Sequence, residues 1–304
     1  MLKYYKGFFK LISLFNKVML SIEETKNLLK KHGARPSKKL GQNFLVNGDV
    51  LEEIVETSSL FKNDVVLEVG PGTGVLTFAL AQKVKAVIAF EKDEKLYLVL
   101  KKRIKDLALK NVKIFNEDIL KVDPKSFLPK DYKIIANIPY YLTSPLIRKF
   151  LETENQPTLI ILMVQKEVAE RICAGLLTER LEQQRKTKRS LLAISVQFYA
   201  KARIISFVSP ASFWPEPKVT SAILKITPNR SLKYSIIFVK EFFKIAKAGF
   251  SQPRKQLINN FSRELKISRD AVREWLLKNG IKPEQRAEKL TLKDWQKLTK
   301  TFNI

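Results

Sequence analysis

The chain has 304 residues, of which 45% are hydrophobic and 28% are charged, so it is long enough for one large and one small globular domain. Its 56 Lys and Arg against 30 acidic residues give a formal net charge of +26, which favours a polyanionic partner, nucleic acid ahead of an anionic membrane surface. A single cysteine, Cys173, and a single histidine, His32, exclude a disulfide framework, a Cys- or His-based metal site and Ser-His catalysis.

The positive charge is concentrated at the two ends of the chain. Residues 1–40 contain 10 Lys and Arg against 2 acids, and residues 231–304 contain 17 against 7. This uneven placement favours a nucleic-acid partner over a surface that is uniformly rich in lysine. The apolar stretch 8–20 is interrupted by Lys10 and Lys17 and is too short to cross a bilayer, so we expect a cytoplasmic protein that does not bind a membrane.

Short apolar segments rich in β-branched residues alternate with helical patterns in the first half of the chain. The predicted strands are 65–69, 86–90, 112–116, 133–136 and 159–164, and the predicted helices are 75–83, 95–109 and 145–153. This alternation predicts an α/β fold with a mainly parallel sheet wrapped by helices. Two later apolar runs, 190–207 and 219–226, are expected to complete the sheet as antiparallel strands.

From residue 234 onward the pattern becomes helical and basic, with predicted helices at 236–249, 253–265, 268–279 and 291–302. We therefore predict three parts: an N-terminal extension and helix at 1–35, an α/β domain at 36–230 and a helical domain at 231–304. The stretch 178–189 has no apolar face and is expected to be a solvated basic segment, with RNA contact there as a hypothesis.

A glycine motif and two acids point to a nucleoside-binding pocket. Gly70, Gly72 and Gly74 lie directly after a predicted strand and before a predicted helix, where glycines let a ligand approach the backbone. The third glycine comes one residue too early for the NAD-type fingerprint, which favours a nucleoside without pyrophosphate over a dinucleotide; an ordinary tight turn is the alternative. Glu91 ends the next strand, where it could bind both ribose hydroxyls, and Asp118 follows the third, where it could bind an adenine amino group.

The fourth strand leads into Asn137-Ile138-Pro139-Tyr140. The exocyclic N6 of adenine is a poor nucleophile because its lone pair is delocalised into the ring. An asparagine oxygen and the carbonyl of residue 138 or 139 could accept both N6 protons and direct the nitrogen toward a methyl donor without a general base. Tyr140 offers an aromatic face for a base taken out of its stack; a proline turn with a buried tyrosine is the alternative.

Five stretches together resemble the KsgA family of ribosomal RNA adenine dimethyltransferases. They are residues 40–45, 68–74, 137–145, 165–171 and 213–221, and the resemblance runs from about residue 38 to the C-terminus. It implies a Rossmann-like S-adenosylmethionine-dependent methyltransferase domain with a seven-stranded sheet and a small all-helical C-terminal domain. The implied substrate is a pair of adjacent adenosines in the 3′-terminal hairpin loop of small-subunit (16S) ribosomal RNA, each methylated twice during maturation of the pre-30S particle.

The resemblance also implies roles for individual residues. The cofactor site is lined by Asn43, Leu45, Gly70, Gly72, Gly74, Glu91, Asp118 and Asn137. Asn137 and Pro139 belong to the catalytic motif, Tyr140 stacks on the target base, and Phe213 closes over its other side. We expect a monomer that uses S-adenosylmethionine and no metal ion.

Two alternatives share these motifs. An Erm-type methyltransferase would modify one adenosine of large-subunit ribosomal RNA, and a non-catalytic ribosome assembly factor would bind RNA on the same fold. Residues 141–145, 165–171 and 248–257 are more similar to the KsgA family than to Erm enzymes. Asn137 and Glu91 argue against a loss of catalysis.

We expect the basic helical domain to bind the RNA. Arg254 and Lys255 are the preferred phosphate contacts because they follow Pro253 at a predicted helix start, where backbone N–H groups would also face a phosphate. Arg263 and Arg273 are further candidates on the following helices. Ordinary solvated charges are the alternative for each of these residues.

Overall fold

The computed structural model describes residues 18–37, 40–175, 188–231 and 234–302. Most of the apolar stretch 8–20 and of the basic segment 178–189 lies outside the described residues. The chain forms two compact units: the first comprises Met1–Lys166 and Ile204–Pro228, and the second comprises Glu167–Arg203 and Asn229–Ile304. This grouping places residues 167–203 with the C-terminal helices, whereas the sequence prediction put them in the α/β domain.

A seven-stranded sheet organises the α/β part. The strands are β1 (Phe44–Leu45), β2 (Val65–Val69), β3 (Ala86–Phe90), β4 (Val112–Phe115), β5 (Lys133–Asn137), β6 (Leu159–Gln165), β7 (Ala200–Val208), β8 (Phe213–Trp214) and β9 (Ser221–Pro228). The sheet order is β4-β3-β2-β5-β6-β9-β7, and β1 and β8 form a separate antiparallel pair. The five neighbouring strands β4, β3, β2, β5 and β6 are parallel to one another, and β9 is antiparallel to β6. The central strands are buried on both faces, which is why their sequences read as continuous apolar runs.

Five helices belong to the first unit among the described residues: α1 (Ile22–Lys31), α2 (Gly48–Thr57), α3 (Val75–Ala81), α4 (Glu94–Asp106) and α5 (Thr143–Leu151). Local side chains set where several of them begin. Ser21 and Glu24 form a capping box at α1, and the carboxylate of Asp93 accepts the N–H groups of Lys95 and Leu96 at α4. The helix starts therefore follow from short-range sequence signals.

The remaining helices are α6 (Lys166–Ile172), α7 (Leu191–Tyr199), α8 (Ile236–Gly249), α9 (Leu257–Leu265), α10 (Arg269–Lys278) and α11 (Leu292–Lys300). Short 3₁₀ turns occur at Pro124–Ser126, Tyr140–Leu142, Pro210–Ser212 and Ala287–Lys289. The second unit has its own apolar core, in which the rings of Phe198 and Phe242 lie 4.3 Å apart and those of Phe261 and Trp275 lie 5.1 Å apart. Cys173 is buried, as expected for a structural thiol.

Two element predictions are wrong. Residues 191–199 form helix α7 and only 200–208 form a strand. The segment is apolar except for Ser195 and Gln197, so its pattern does not distinguish a helix from a strand. The Ser190 hydroxyl caps the helix by accepting the Ala193 N–H. Helix α9 begins at Leu257 rather than at Pro253. The N–H groups of Leu257 and Ile258 donate to the carbonyls of Gln285 and Pro283, and not to carbonyls of a preceding helical turn.

Across the described residues, none of the helices has both the length and the apolar character required to span a bilayer. In the same part of the chain, His, Cys, Asp and Glu side chains form no group of three or more that could hold a metal ion.

Candidate functional site

A pocket opens at the carboxyl ends of β2, β3 and β5, where ligands bind in open parallel sheets. It contains about 990 Å³ of space free of protein atoms, including its open mouth. The lining comes from residues 40–45, 68–73, 75–76, 90–92, 96, 117–119 and 137–142. All the predicted cofactor residues except Gly74 are in this lining, as are Pro139 and Tyr140.

The glycine loop keeps the pocket floor open. Gly70 and Gly72 have positive φ angles of 66° and 59°, which favour glycine. A Cβ at Gly72 would lie 3.1 Å from the ring of Phe44, and one at Gly70 would lie 3.4 Å from Pro139. Gly74 differs from these two, since a Cβ there would come within 2.4 Å of Leu100, and its absence allows α3 to pack against α4. The structure therefore places Gly74 in the packing behind the pocket.

Glu91 lies at the end of β3 and is only 6% exposed. One carboxylate oxygen accepts the Gly72 N–H at 3.1 Å and the other accepts the Asp93 N–H at 2.9 Å. Burial raises the pKa of Glu91 to about 7, against the opposing effect of the backbone hydrogen bonds from Asp93 and Gly72. The side chain is thus held in a fixed orientation against the glycine loop.

Asp118 also lines the pocket, after β4, and is more exposed than Glu91. Its carboxylate accepts a hydrogen bond from the Lys92 ammonium at 2.9 Å and another from the Leu120 N–H at 3.0 Å. Burial alone would raise the pKa of Asp118, but these hydrogen bonds and the charge of Lys92 outweigh burial and lower it. Asp118 is therefore an ionised acceptor at neutral pH.

Glu68 is a pocket residue to which the sequence analysis assigned no role. It is 1% exposed, and its Oε2 atom has no hydrogen-bond partner among the described residues. Burial raises the pKa of Glu68 to about 8, and the nearby charge of Glu91 acts in the same direction. An acid at the end of an otherwise apolar strand was the available signal, because such a residue at a buried position needs a reason to be retained.

The Asn137 amide is fixed by the segment that carries β1. Its Nδ2 donates to the Asn43 carbonyl at 3.2 Å. The Asn137 side-chain oxygen accepts no hydrogen bond from any described residue, and it belongs to the pocket lining. The predicted residues Asn43 and Asn137 are therefore brought together although they are 94 positions apart.

The backbone carbonyls of Ile138 and Pro139 differ in whether they already accept a hydrogen bond. The Pro139 carbonyl accepts the Leu142 N–H at 2.9 Å as the first bond of a 3₁₀ turn. The Ile138 carbonyl accepts no hydrogen bond within the described part of the chain, and Ile138 lines the pocket. Of the two acceptors that the sequence left open, Ile138 is thus the available one.

Tyr140 and Phe213 lie in different surroundings. Tyr140 lines the pocket, and its hydroxyl is 2.7 Å from the Ser221 hydroxyl; burial raises the pKa of Tyr140. Phe213 is 1% exposed, pairs with Leu45 across β1 and β8, and belongs to the apolar core rather than to the pocket lining. A contact between Phe213 and a base would require this ring to be uncovered, so that role stays a prediction.

The predicted RNA contacts are all exposed. Arg254 and Lys255 lie in the turn before α9, and no ion pair involves them among the described residues. Arg263 is paired with Glu264, and Arg273 lies 3.9 Å from Glu284. The first two are therefore the more available cations.

Comparison with known proteins agrees with this geometry. Residues 33–303 match the family described as ribosomal RNA adenine dimethylase. The chain is 38% identical over 277 residues to the ribosomal RNA small subunit methyltransferase A of Dehalococcoides mccartyi, covering 90% of this chain and 91% of the relative. It is 37% identical to the protein of that name from Alkaliphilus metalliredigens, covering 93% and 97%.

Solved structures show the same fold. A dimethyladenosine transferase from Plasmodium falciparum superimposes with a TM-score of 0.67 at 29% identity, covering 86% of this chain and 97% of that one. The 23S rRNA methyltransferase ErmE superimposes with a TM-score of 0.66 at 23% identity, covering 86% and 100%, which supports the fold alone. The predicted α/β methyltransferase fold and the resemblance to the KsgA family are confirmed, and the chain belongs to the ribosomal RNA adenine dimethylase family.

Proposed function

We propose that this protein transfers methyl groups from S-adenosylmethionine to N6 of two adjacent adenosines in the 3′-terminal hairpin loop of small-subunit ribosomal RNA, giving N6,N6-dimethyladenosine. The observation that carries the proposal is the Asn137 amide, held by Asn43 with its oxygen open to the pocket. The names of the relatives support the choice of small-subunit RNA over large-subunit RNA.

The pocket fits S-adenosylmethionine by its shape and by its donor set. Gly70 and Gly72 both line the pocket and carry no side chain into it, so a ligand could lie against their backbone. Glu91 would accept hydrogen bonds from the ribose hydroxyls, and Asp118 would accept one from the adenine amino group. Glu68 supplies a carboxyl oxygen that has no hydrogen-bond partner among the described residues. When bound, the cofactor supplies an electrophilic methyl group on a sulfonium.

The chain activates the nucleophile by hydrogen bonding. Asn137 Oδ1 and the Ile138 carbonyl accept the two N6 protons of adenine, which draws the nitrogen toward a tetrahedral form with its lone pair on the methyl carbon. Transfer of the methyl group would form an N–C bond in place of the C–S bond of the donor, and the extra proton on N6 would leave to water. The role of Pro139 is to form the turn, in which its carbonyl accepts the Leu142 N–H and is therefore not available to the base.

The base and its RNA need separate contacts. Tyr140 provides a stacking face at the pocket, held through its hydroxyl by Ser221, and Phe213 is the further candidate for the second face. The exposed cations Arg254 and Lys255 bind phosphates, with Arg263 and Arg273 as additional contacts. The protein acts as a cytoplasmic monomer on the pre-30S particle.

Purified small and large ribosomal subunits that lack the modification, incubated with labelled cofactor, test the proposal. We expect label on two adjacent adenosines of the small-subunit RNA, each as the dimethylated base. Label on one large-subunit adenosine would identify an Erm-type enzyme. RNA binding without label would identify an assembly factor.

A further inference from the structure

Tyr141 is an aromatic residue at the pocket that has no part in the chemistry described above. It belongs to the pocket lining, yet it is 50% exposed. Within the described part of the chain, its ring takes part in no aromatic or cation–π contact, and its hydroxyl takes part in no hydrogen bond. Both faces of the ring therefore remain available to a ligand at the pocket mouth.

The 3₁₀ turn Tyr140–Leu142 fixes the position of this ring. Tyr140, the preceding residue, is proposed to hold the target base, and its hydroxyl lies 2.7 Å from that of Ser221. Consecutive side chains in a 3₁₀ turn point about 120° apart, because such a turn has three residues. Tyr141 therefore lies beside the base site and leaves the ring of Tyr140 uncovered.

A second group at the pocket locates the phenol of Tyr141. The Lys92 ammonium lies 2.9 Å from the Asp118 carboxylate, and the hydrogen bond and charge of Asp118 raise the pKa of Lys92. The phenol of Tyr141 acts on the pKa of Lys92 in the same direction, through its charge when ionised. Tyr141 therefore lies near the Lys92–Asp118 pair, although neither residue of the pair binds it by a hydrogen bond.

The proposed substrate needs a contact at the pocket mouth. The two target adenosines adjoin in the RNA chain, so when one base occupies the pocket, the next nucleotide lies at its opening. Taking a base out of its stack removes a stacking partner from the adjoining base as well. An aromatic side chain can replace such a partner, because every base has a face on which a ring can stack.

We propose that Tyr141 stacks on the base of a nucleotide that adjoins the target adenosine. The proposal rests on the RNA substrate of the proposed function. Two consecutive tyrosines, Tyr140 and Tyr141, then bind two consecutive nucleotides, the first inside the pocket and the second at its mouth.

The chain contains a control for this ring. Phe61 is 70% exposed and lies in the turn before β2. It is therefore near the amino end of a parallel strand, whereas the pocket opens at the carboxyl ends. Phe61→Ala removes an exposed aromatic ring without touching the pocket.

The first test measures binding of the full-length protein to a synthetic RNA hairpin with the sequence of the 3′-terminal small-subunit loop. Tyr141→Ala should raise the Kd at least about 5-fold, as expected for the loss of base stacking. Tyr141→Phe keeps the ring and should retain affinity, and Phe61→Ala should bind as wild type. The Kd for S-adenosylhomocysteine should be unchanged in all three variants, which also shows that their pockets are folded.

The second test identifies the nucleotide. Two further hairpins carry an abasic residue in place of one or the other of the two adjacent adenosines, so that the remaining adenosine is the target. On one of these hairpins Tyr141→Ala should have no effect, because the base on which the ring stacks is already missing. On the other hairpin the loss of affinity should persist.

Unchanged affinity of Tyr141→Ala for the intact hairpin would overturn the proposal. An equal loss on all three hairpins would mean that the ring contacts another part of the RNA, and an equal loss in Tyr141→Phe would assign the contact to the hydroxyl. Weaker binding of S-adenosylhomocysteine to Tyr141→Ala would assign the ring to the cofactor. Each of these three results also contradicts the proposal.

The proposed function can fail separately from this contact. A wild-type protein that does not methylate small-subunit RNA would refute the proposed function and, with it, the contact. A wild-type protein that methylates this RNA, together with a Tyr141→Ala variant of full RNA affinity, would refute the contact alone. The two failures are therefore distinguishable.

Discussion

Glu91→Gln tests how the pocket would hold the ribose of its cofactor. Each carboxylate oxygen of Glu91 already accepts one backbone N–H, from Gly72 or Asp93, and keeps a lone pair for a ribose hydroxyl. Glutamine keeps the shape but offers a single acceptor oxygen and no charge. Because a hydrogen bond to a charged group contributes about 1.5–3 kcal/mol, the Kd for S-adenosylhomocysteine should rise roughly 10- to 150-fold at pH 8.

The same residue predicts how cofactor affinity depends on pH. Burial raises the pKa of Glu91 to about 7, so a growing fraction of the protein carries a neutral side chain as the pH falls below 7. Hydroxyl donors favour the ionised form, and the apparent Kd varies inversely with the ionised fraction. Between pH 8 and pH 6 the wild-type Kd should therefore rise roughly tenfold.

Calorimetric titration with S-adenosylhomocysteine between pH 6 and pH 8.5 measures both effects. The rise in Kd between pH 7 and pH 6, where Glu68 is already protonated, should disappear in Glu91→Gln, while Glu56→Gln, a change at an exposed acid on α2, should behave as wild type. Circular dichroism reports whether each variant is folded. A folded Glu91→Gln protein that binds within twofold of wild type at pH 8 would refute the ribose contact, and a flat wild-type profile would refute the protonation argument.

Three further predictions concern catalysis, stability and RNA binding. Asn137→Ala should reduce single-turnover methylation roughly 10²-fold with RNA affinity unchanged, and near-normal turnover would contradict its role in positioning N6. Because burial raises the pKa of Glu68 from 4.5 to about 8, its contribution to stability is fully present below pH 4.5 and is lost as the pH rises toward 8. Urea unfolding should therefore show Glu68→Gln to be more stable than wild type by about 3 kcal/mol at pH 7 and equal to it at pH 4; equal stability at both pH values would mean that Glu68 ionises normally. Replacing Arg254 and Lys255 together by Gln should lower the salt slope of RNA binding by about two units, whereas Lys244→Gln, which removes an ion-paired cation, should leave it unchanged; an unaffected slope in the double variant would exclude the turn before α9 as a phosphate site.

The sequence determined the parts of the protein that rest on local signals. Strands β2 to β6 were predicted to within one residue at each end. Four of them, β2, β3, β5 and β6, are largely buried and therefore have nearly continuous apolar sequences, whereas β4 is only partly buried. Gly70 and Gly72 were recognised as pocket residues because the glycine motif lies between a strand and a helix, where glycines let a ligand approach the backbone; the same motif also included Gly74, which is not in the pocket lining. The parallel order then brought Glu91, Asp118 and Asn137 to one edge of the sheet.

Tertiary structure decided whatever depends on distant partners. Helix α7 is apolar except for Ser195 and Gln197, so packing against other helices, not its pattern, selects helix over strand. The pairing of β1 with β8 places Phe213 in the core, whereas the family resemblance implied a place over the base. Burial that raises the pKa of Glu68, and the hydrogen bond between Tyr140 and Ser221, come from chain segments far apart in sequence. Side-chain environment is a property of the folded neighbourhood, and residue type and spacing do not specify it on their own.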